Sequence, residues 1–306
     1  MTTPLIEIDE LSKWFGEVVA LNNLSLTIEP GVTGLLGPNG AGKSTFFKII
    51  LGLYSPSRGT ARVFQQNPRN NLAVLERVGY CPESDTFFEN MTGYEFVYAL
   101  NRQWGMTKAV AEKAAEEVCD LVAMTERMDD PIDEYSKGMR QRIKIAQALA
   151  SKPELLLLDE PMGGLDPKGR EEMFTLIRRL GEEGRSVIIS SHILYEVERV
   201  TDSIVLLYNG TMLAQGRVRE IRDLIDRHPH TIIVDCDDPR ALAKLFAGAP
   251  DTISMELDDK QLTLRTSDPN TCFQQLNDLV LQNGSSIQSI QCTDDDLQSV
   301  FEYLIK

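Results

Sequence analysis

Gly37-Pro38-Asn39-Gly40-Ala41-Gly42-Lys43-Ser44-Thr45 is the stretch on which the fold turns. Gly37 and Gly42 bracket four residues and lead into Lys43 and Ser44. That spacing belongs to a loop whose glycines let backbone N–H groups turn toward phosphate oxygens while the lysine reaches the outer phosphates. Val32 to Leu36, just upstream, is a compact apolar strand. Downstream, Ser44 to Leu53 sets Phe46, Phe47, Ile49, Ile50, Leu51 and Leu53 at the spacing of a buried helix. A strand, a glycine-rich loop and a helix N-terminus in that order form an anion site, because the helix end adds partial positive charge to the free N–H groups. The sequence therefore predicts an α/β P-loop NTPase core that binds ATP, with the Ser44 hydroxyl placed for Mg²⁺.

Nucleotide-bound Mg²⁺ calls for a carboxylate, and phosphate hydrolysis for a positioned water. Leu155-Leu156-Leu157-Leu158-Asp159-Glu160 supplies both, since an apolar parallel strand releases its polar residues at the carboxyl end, where ligands sit in open α/β sheets. Asp159 is expected to hold the metal shell and Glu160 to orient or deprotonate the attacking water.

Working outward, residues 5 to 30 alternate apolar and polar side chains around turn signals, the pattern of a short antiparallel N-terminal sheet. A mostly helical insertion is expected over about 86–150, with a capping box at Thr92 and Glu95 and an Ala-, Glu- and Lys-rich helix from Thr107 to Met124. Further strands are read at Ser186 to Ser190 and Ser203 to Tyr208, and helices at Pro167 to Leu180 and Leu194 to Val200. Alternating strands and helices imply a mostly parallel sheet. A break near Arg227-His228-Pro229-His230 separates a domain at 1–226 from one at 227–306. The second reads as strand, helix, two strands, helix and strand, then a final helix from Asp294 to Leu304, a ferredoxin-like α+β arrangement.

The 306 residues carry a net charge of −15, which argues against a direct nucleic-acid footprint. The longest apolar runs fall far short of the roughly 20 residues a membrane-spanning helix needs. The N-terminus has no signal-peptide pattern, and the five cysteines form no C-x-x-C pair. A cytoplasmic setting with free thiols is the expectation.

Tyr135-Ser136-Lys137-Gly138-Met139-Arg140-Gln141-Arg142, preceding the Asp159 strand, completes a pattern that resembles the ATP-binding subunits of ABC transporters over roughly residues 5 to 215. On physical grounds alone Ser136 is a helix N-cap, with its hydroxyl and nearby N–H groups able to face an anion. The resemblance implies more: Ser136, Lys137, Gly138 and Met139 close on ATP held by a second ATPase subunit, giving a head-to-tail homodimer with two nucleotides at its interface. It also implies that Gly164-Leu165-Asp166 crosses between subunits, that His192 contacts the γ-phosphate, and that Phe15 stacks on adenine, with Trp14 as a competing ring. It implies a separate transmembrane permease, export as the direction, and a peripheral position on the cytoplasmic face of the membrane.

Departures from the family pattern stand at Glu83, where a glutamine facing metal, water and permease is usual, and at Lys137 and Met139 within the cap segment. Met162 occupies a position where a small residue is usual. Glu83 is accordingly a candidate for both the metal shell and the coupling loop. The alternative is a soluble ATP-driven switch acting on a macromolecular partner without a permease. The second domain carries the denser negative charge, and its Asp237-Asp238, Asp258-Asp259 and Asp294-Asp295-Asp296 runs read either as a metal-sensing surface or as a solvated face.

Overall fold

The phosphate loop joins a strand buried on both faces to a helix buried among apolar neighbours, and this unit organises the first part of the chain. A computed structural model describes residues 3–218, 220, 230–283 and 287–292. Two compact units appear, Met1–Arg217 and Val218–Lys306. The expected Asp294 to Leu304 helix, the Asp294-Asp295-Asp296 run and the Arg227-His228-Pro229 break lie outside the described residues.

In the first unit, β1 (Ile6–Phe15) and β2 (Val18–Ile28) form an antiparallel hairpin in which Ile6 pairs with Ile28 and Phe15 with Val18. Ile6, Ile8, Leu11, Leu21, Leu24, Leu26 and Ile28 turn inward, so alternation produces one apolar face. A third strand, β4 (Arg58–Val63), pairs antiparallel with β1. Only Ala61 and Val63 of β4 are buried, which is why its sequence gave no strand signal.

The central sheet contains β3 (Val32–Leu36), β5 (Val78–Cys81), β6 (Leu155–Leu158), β7 (Ser186–Ser191), β8 (Ser203–Tyr208) and β9 (Thr211–Arg217) in the order β5-β6-β7-β3-β8-β9. All neighbours are parallel except β8 and β9. Strand β5 is four residues long with a glycine in it, too short and weak to read from sequence. Gly79 is required there, since an added Cβ would lie 2.0 Å from the Ala148 carbonyl oxygen.

The helices of this unit are α1 (Lys43–Ile50), α2 (Leu72–Leu75), α3 (Gly93–Gln103), α4 (Lys108–Leu121), α5 (Lys137–Leu149), α6 (Pro167–Glu182) and α7 (Leu194–Glu198). Helix α3 begins with a full capping box: Thr92 Oγ1 accepts from the Glu95 N–H and Glu95 Oε2 from the Thr92 N–H. Strand β6 divides two apolar cores. Leu155 and Leu157 face one with Phe46, Phe47 and Ile50, while Leu156 and Leu158 face the other with Phe96, Ile143 and Phe174. Met162 is buried in this second core with Leu165 and Met173, so its bulk fills space that a small residue would leave open.

The second unit runs β10 (His230–Cys236), α8 (Pro239–Phe246), β11 (Thr252–Leu257), β12 (Gln261–Thr266), α9 (Pro269–Asn283) and β13 (Ile287–Cys292). Its sheet order is β11-β12-β10-β13, antiparallel throughout. This is a split β-α-β pattern closed over Ile232, Val234, Leu242, Phe246, Leu262, Leu264 and Leu276.

Candidate functional site

Three parallel strands, β3, β6 and β7, release their chains side by side at one end of the sheet. The Gly37 N–H bonds to the Ser191 carbonyl at 3.2 Å, and the Asp159 N–H to the Cys81 carbonyl at 2.9 Å. Register then fixes the chemistry, because pairing of Leu158 with Ile189 puts Asp159 beside Ser190.

Gly42 stands at the N-cap of α1 with φ +102°, and a Cβ there would lie 2.6 Å from the Ala20 oxygen. A Cβ on Gly37 would lie 2.4 Å from the Leu207 oxygen. Both glycines of the motif are therefore demanded by backbone geometry. Lys43 is buried, and its Nζ donates to the carbonyls of Gly37 at 2.6 Å and Pro38 at 3.3 Å.

Asp159 is 2% exposed. The Ser190 hydroxyl donates to its Oδ1 at 2.6 Å, and the Tyr80 hydroxyl to its Oδ2 at 3.3 Å. Burial and the adjoining Asp159 charge push the Tyr80 phenol above its ordinary range, so it keeps its proton and remains a donor. Burial likewise pushes the Cys81 thiol up to about 12, making it an inert neighbour.

Glu160 adopts φ +48°, a strained value for a side-chain-bearing residue, and its N–H donates to Ser190 Oγ at 2.9 Å. Its Oε1 is ion-paired with Lys43 at 3.2 Å, off hydrogen-bond alignment. Its Oε2 lies 2.9 Å from Nδ1 of His192, whose ring is about half exposed. Strain of this kind at a strand end aims a carboxylate where a relaxed strand would not.

Pro38, Asn39, Gly40, Ala41, Gly42, Lys43, Ser44 and Thr45 line one cavity of about 370 Å³ together with Glu83, Asp159 and Glu160. Ser136, Lys137, Gly138, Met139, Gly164, Leu165 and Asp166 line a different one, of about 420 Å³. A third, of about 340 Å³, brings His192, Glu160, Glu83 and Asn39 together with Lys137 and Gly164. Ser136 is the N-cap of α5, accepting from the Met139 N–H at 3.3 Å. Asp166 caps α6 in the same way through the Gly169 N–H at 2.8 Å. The Lys137 side chain lies across Gly164. Phe15 does not line the phosphate-loop cavity, which includes Val18, Val19 and Ala20 instead. Its ring packs edge-on against Tyr54 at 5.2 Å, under the Lys13 ammonium.

Ser190 and Tyr80, the two donors that hold Asp159, escaped the sequence reading. Ser190 was within view, two residues before His192, but only the β6–β7 register gives it a role.

A family model described as ABC transporter matches residues 21–163. The bacitracin transport ATP-binding protein BcrA of Enterococcus faecalis is 33% identical over 305 residues, an alignment spanning 98% of this chain and 96% of the relative. The chain belongs to the ABC transporter ATP-binding family. As a member of that family it binds and hydrolyses ATP to power transport through a membrane permease. The Nod factor export ATP-binding protein I of Sinorhizobium fredii is 32% identical over 283 residues, covering 89% of this ABC subunit and 79% of the relative. Among solved structures, an ATP-binding subunit of an ABC transporter shares 29% identity at a TM-score of 0.64, over 72% of this chain and 93% of that one. CbiO1 from Clostridium perfringens shares the fold at a TM-score of 0.66 and 24% identity. The alignment with BcrA runs through the second unit as well as the ATPase unit. No helix among the described residues of this ABC subunit is long and apolar enough to cross a membrane.

Proposed function

We propose that this chain is one half of a head-to-tail homodimer that closes over two ATP·Mg²⁺ and drives export through a separate permease at the cytoplasmic face of a membrane. The observation that carries the reading is that Ser136 and Gly138 line neither the phosphate-loop cavity nor the third cavity, which Glu160 and His192 share with Lys137 and Gly164. Lys43, Asp159 and Glu160 share the phosphate-loop cavity, whereas Ser136 and Gly138 open into another. Such an arrangement suits a cap that acts on a nucleotide held by a second copy. The relative named for Nod factor export supports export as the direction, and the one named for bacitracin transport supports a transport role.

Within this scheme, Lys43 turns from the Gly37 and Pro38 carbonyls to the outer phosphates. Glu160 takes a proton from the attacking water, and His192 holds the Glu160 carboxylate at Oε2 and meets the γ-phosphate. Gly164, Leu165 and Asp166 cross to the partner copy, and Phe15 meets the adenine ring.

The residues present suit Mg²⁺. Asp159 is a buried carboxylate held by two hydroxyls, and among the described residues it has no cationic partner, a poor arrangement for a charge meant to stay uncompensated. Ser44 and Glu83 line the same cavity, making an all-oxygen donor set. Among the described residues no group of three or more His, Cys, Asp or Glu side chains is placed to hold a metal ion, so the ion would lean on nucleotide oxygens, as Mg²⁺ commonly does. When bound, it neutralises phosphate charge. Residues 1–226 act as the nucleotide-binding domain, with its helical insertion at about 86–150, and 227–306 as an accessory domain.

The test is the mass of the full chain in solution with ATP and Mg²⁺, for wild type and Glu160→Gln. A dimer that persists in Glu160→Gln and dissolves in wild type as ATP is consumed supports the reading. A monomer in both, with undiminished turnover in the variant, overturns it.

A further inference from the structure

We propose that Lys144, acting with Asp85, is a positioning residue that joins the segment at Glu83 to the helix bearing Ser136, so that the two move as one body. The inference rests on the nucleotide-site reading above.

Lys144 is 3% exposed, an unusual place for an ammonium group unless its charge is matched. Its Nζ donates to the Glu83 carbonyl at 2.8 Å and pairs with Asp85 Oδ1 at 3.2 Å. Arg140 lies one turn earlier on α5. Its Nε donates to Asp85 Oδ2 at 2.7 Å, and its two terminal nitrogens hold Glu89 at 2.8 and 2.6 Å. Both Asp85 oxygens are thus taken by two cations of a single helix, at the i and i+4 positions that share a face. Burial raises the Asp85 pKa, but the hydrogen bonds from Arg140 and Lys144 outweigh it, and the carboxyl ends below its ordinary value.

Three acceptors spread over Glu83, Asp85 and Glu89 are therefore fastened to α5 by charge-assisted bonds, which are short and strong. Glu83 lines the phosphate-loop cavity, while Ser136 caps the start of α5. At about 1.5 Å of rise per residue, Lys144 stands roughly 12 Å along the helix from Ser136. A rigid helix carries a displacement over that distance without loss. Any shift of Glu83 toward or away from a nucleotide and its Mg²⁺ must also shift the cap that meets the partner's nucleotide.

The test follows amide hydrogen exchange in the full chain, with and without ATP and Mg²⁺, at residues 37–45 and 136–139. In wild type, nucleotide should slow exchange at both segments. In Lys144→Met, slowing at 37–45 should stay within twofold of wild type, while slowing at 136–139 should drop at least tenfold. Turnover should show the same split, with kcat down tenfold or more and KM within about threefold. Asp85→Asn, at a half-exposed position, should reproduce the direction and decides the matter if Lys144→Met does not fold. Equal slowing at both segments in a folded variant overturns the linkage. So does a proportional loss at both, which marks a general structural fault. Absence of slowing at 37–45 in wild type overturns the nucleotide-site reading itself, and the linkage with it.

Discussion

Lys43 and Glu160 face each other across the phosphate-loop cavity as an ion pair of 3.2 Å, with side chains 7% and 11% exposed. The lysine that should meet phosphate and the acid that should meet water hold one another. An incoming γ-phosphate competes with Glu160 for the ammonium group. Glu160→Gln should therefore bind ATP at least as tightly as wild type by equilibrium titration. Phosphate release should fall by about 100-fold or more, the scale of a lost general base. Lys43→Ala should lose nucleotide binding, and unchanged affinity would remove Lys43 from the site.

Ser190 ties the Asp159 carboxylate to the Glu160 backbone, donating to the first and accepting from the N–H of the second. Alanine fits the space but leaves a buried carboxylate oxygen and a backbone N–H without those partners. Ser190→Ala should cost about 1–3 kcal/mol in urea denaturation. It should also raise the Mg²⁺ concentration needed for half-maximal turnover, and an unchanged Mg²⁺ requirement would separate Ser190 from the metal shell.

Asp85 gives a pH dependence with a definite sign. Its folded pKa lies below its ordinary value, so the unfolded chain binds the proton more readily. The stability it contributes is whole above the ordinary aspartate pKa of about 3.9 and declines as pH falls through the lower folded value. Denaturation midpoints measured from pH 6 downward should fall more steeply for wild type than for Asp85→Asn. Parallel curves would show that the carboxylate adds no acid-labile stability.

Two loop glycines separate backbone strain from crowding. Gly40 has φ +83° with nothing within 4 Å of a built Cβ, whereas Gly42 has φ +102° and would meet Ala20 O and Leu21 Cδ2, each at 2.6 Å. Gly40→Ala should cost about 1–3 kcal/mol from conformation alone. Gly42→Ala should cost more and weaken ATP binding at least tenfold, because the loop must also shift. Equal effects would indicate that the loop is softer than its contacts imply.

The phosphate loop, the Leu155–Leu158 strand with its two acids, and the Ser136 cap were legible because each rests on a local pattern: spacing, an apolar run, a cap. Helices such as α5 and α6 were legible for the same reason. Strands β4 and β5 were not, since Arg58–Val63 is mostly exposed and Val78–Cys81 is brief and interrupted by glycine. Ser190, Tyr80, Lys144 and Asp85 were hidden for another reason. Their roles come from register and from a helix laid against a distant loop, across 31 residues for Ser190 and Asp159 and 79 for Tyr80 and Asp159. The Glu83 departure was visible in the sequence, but its carbonyl's tie to Lys144 was not.

Strand β6, with a core packed on each of its faces, has no free side along which to slide. Asp159 and Glu160 are borne on its end, so in the proposed scheme these two acids form the stationary member of the machine. Motion belongs to the parts that approach them. A cargo signal arriving from the permease would then be felt by hydrolysis as a change in what is brought to a fixed pair of carboxylates.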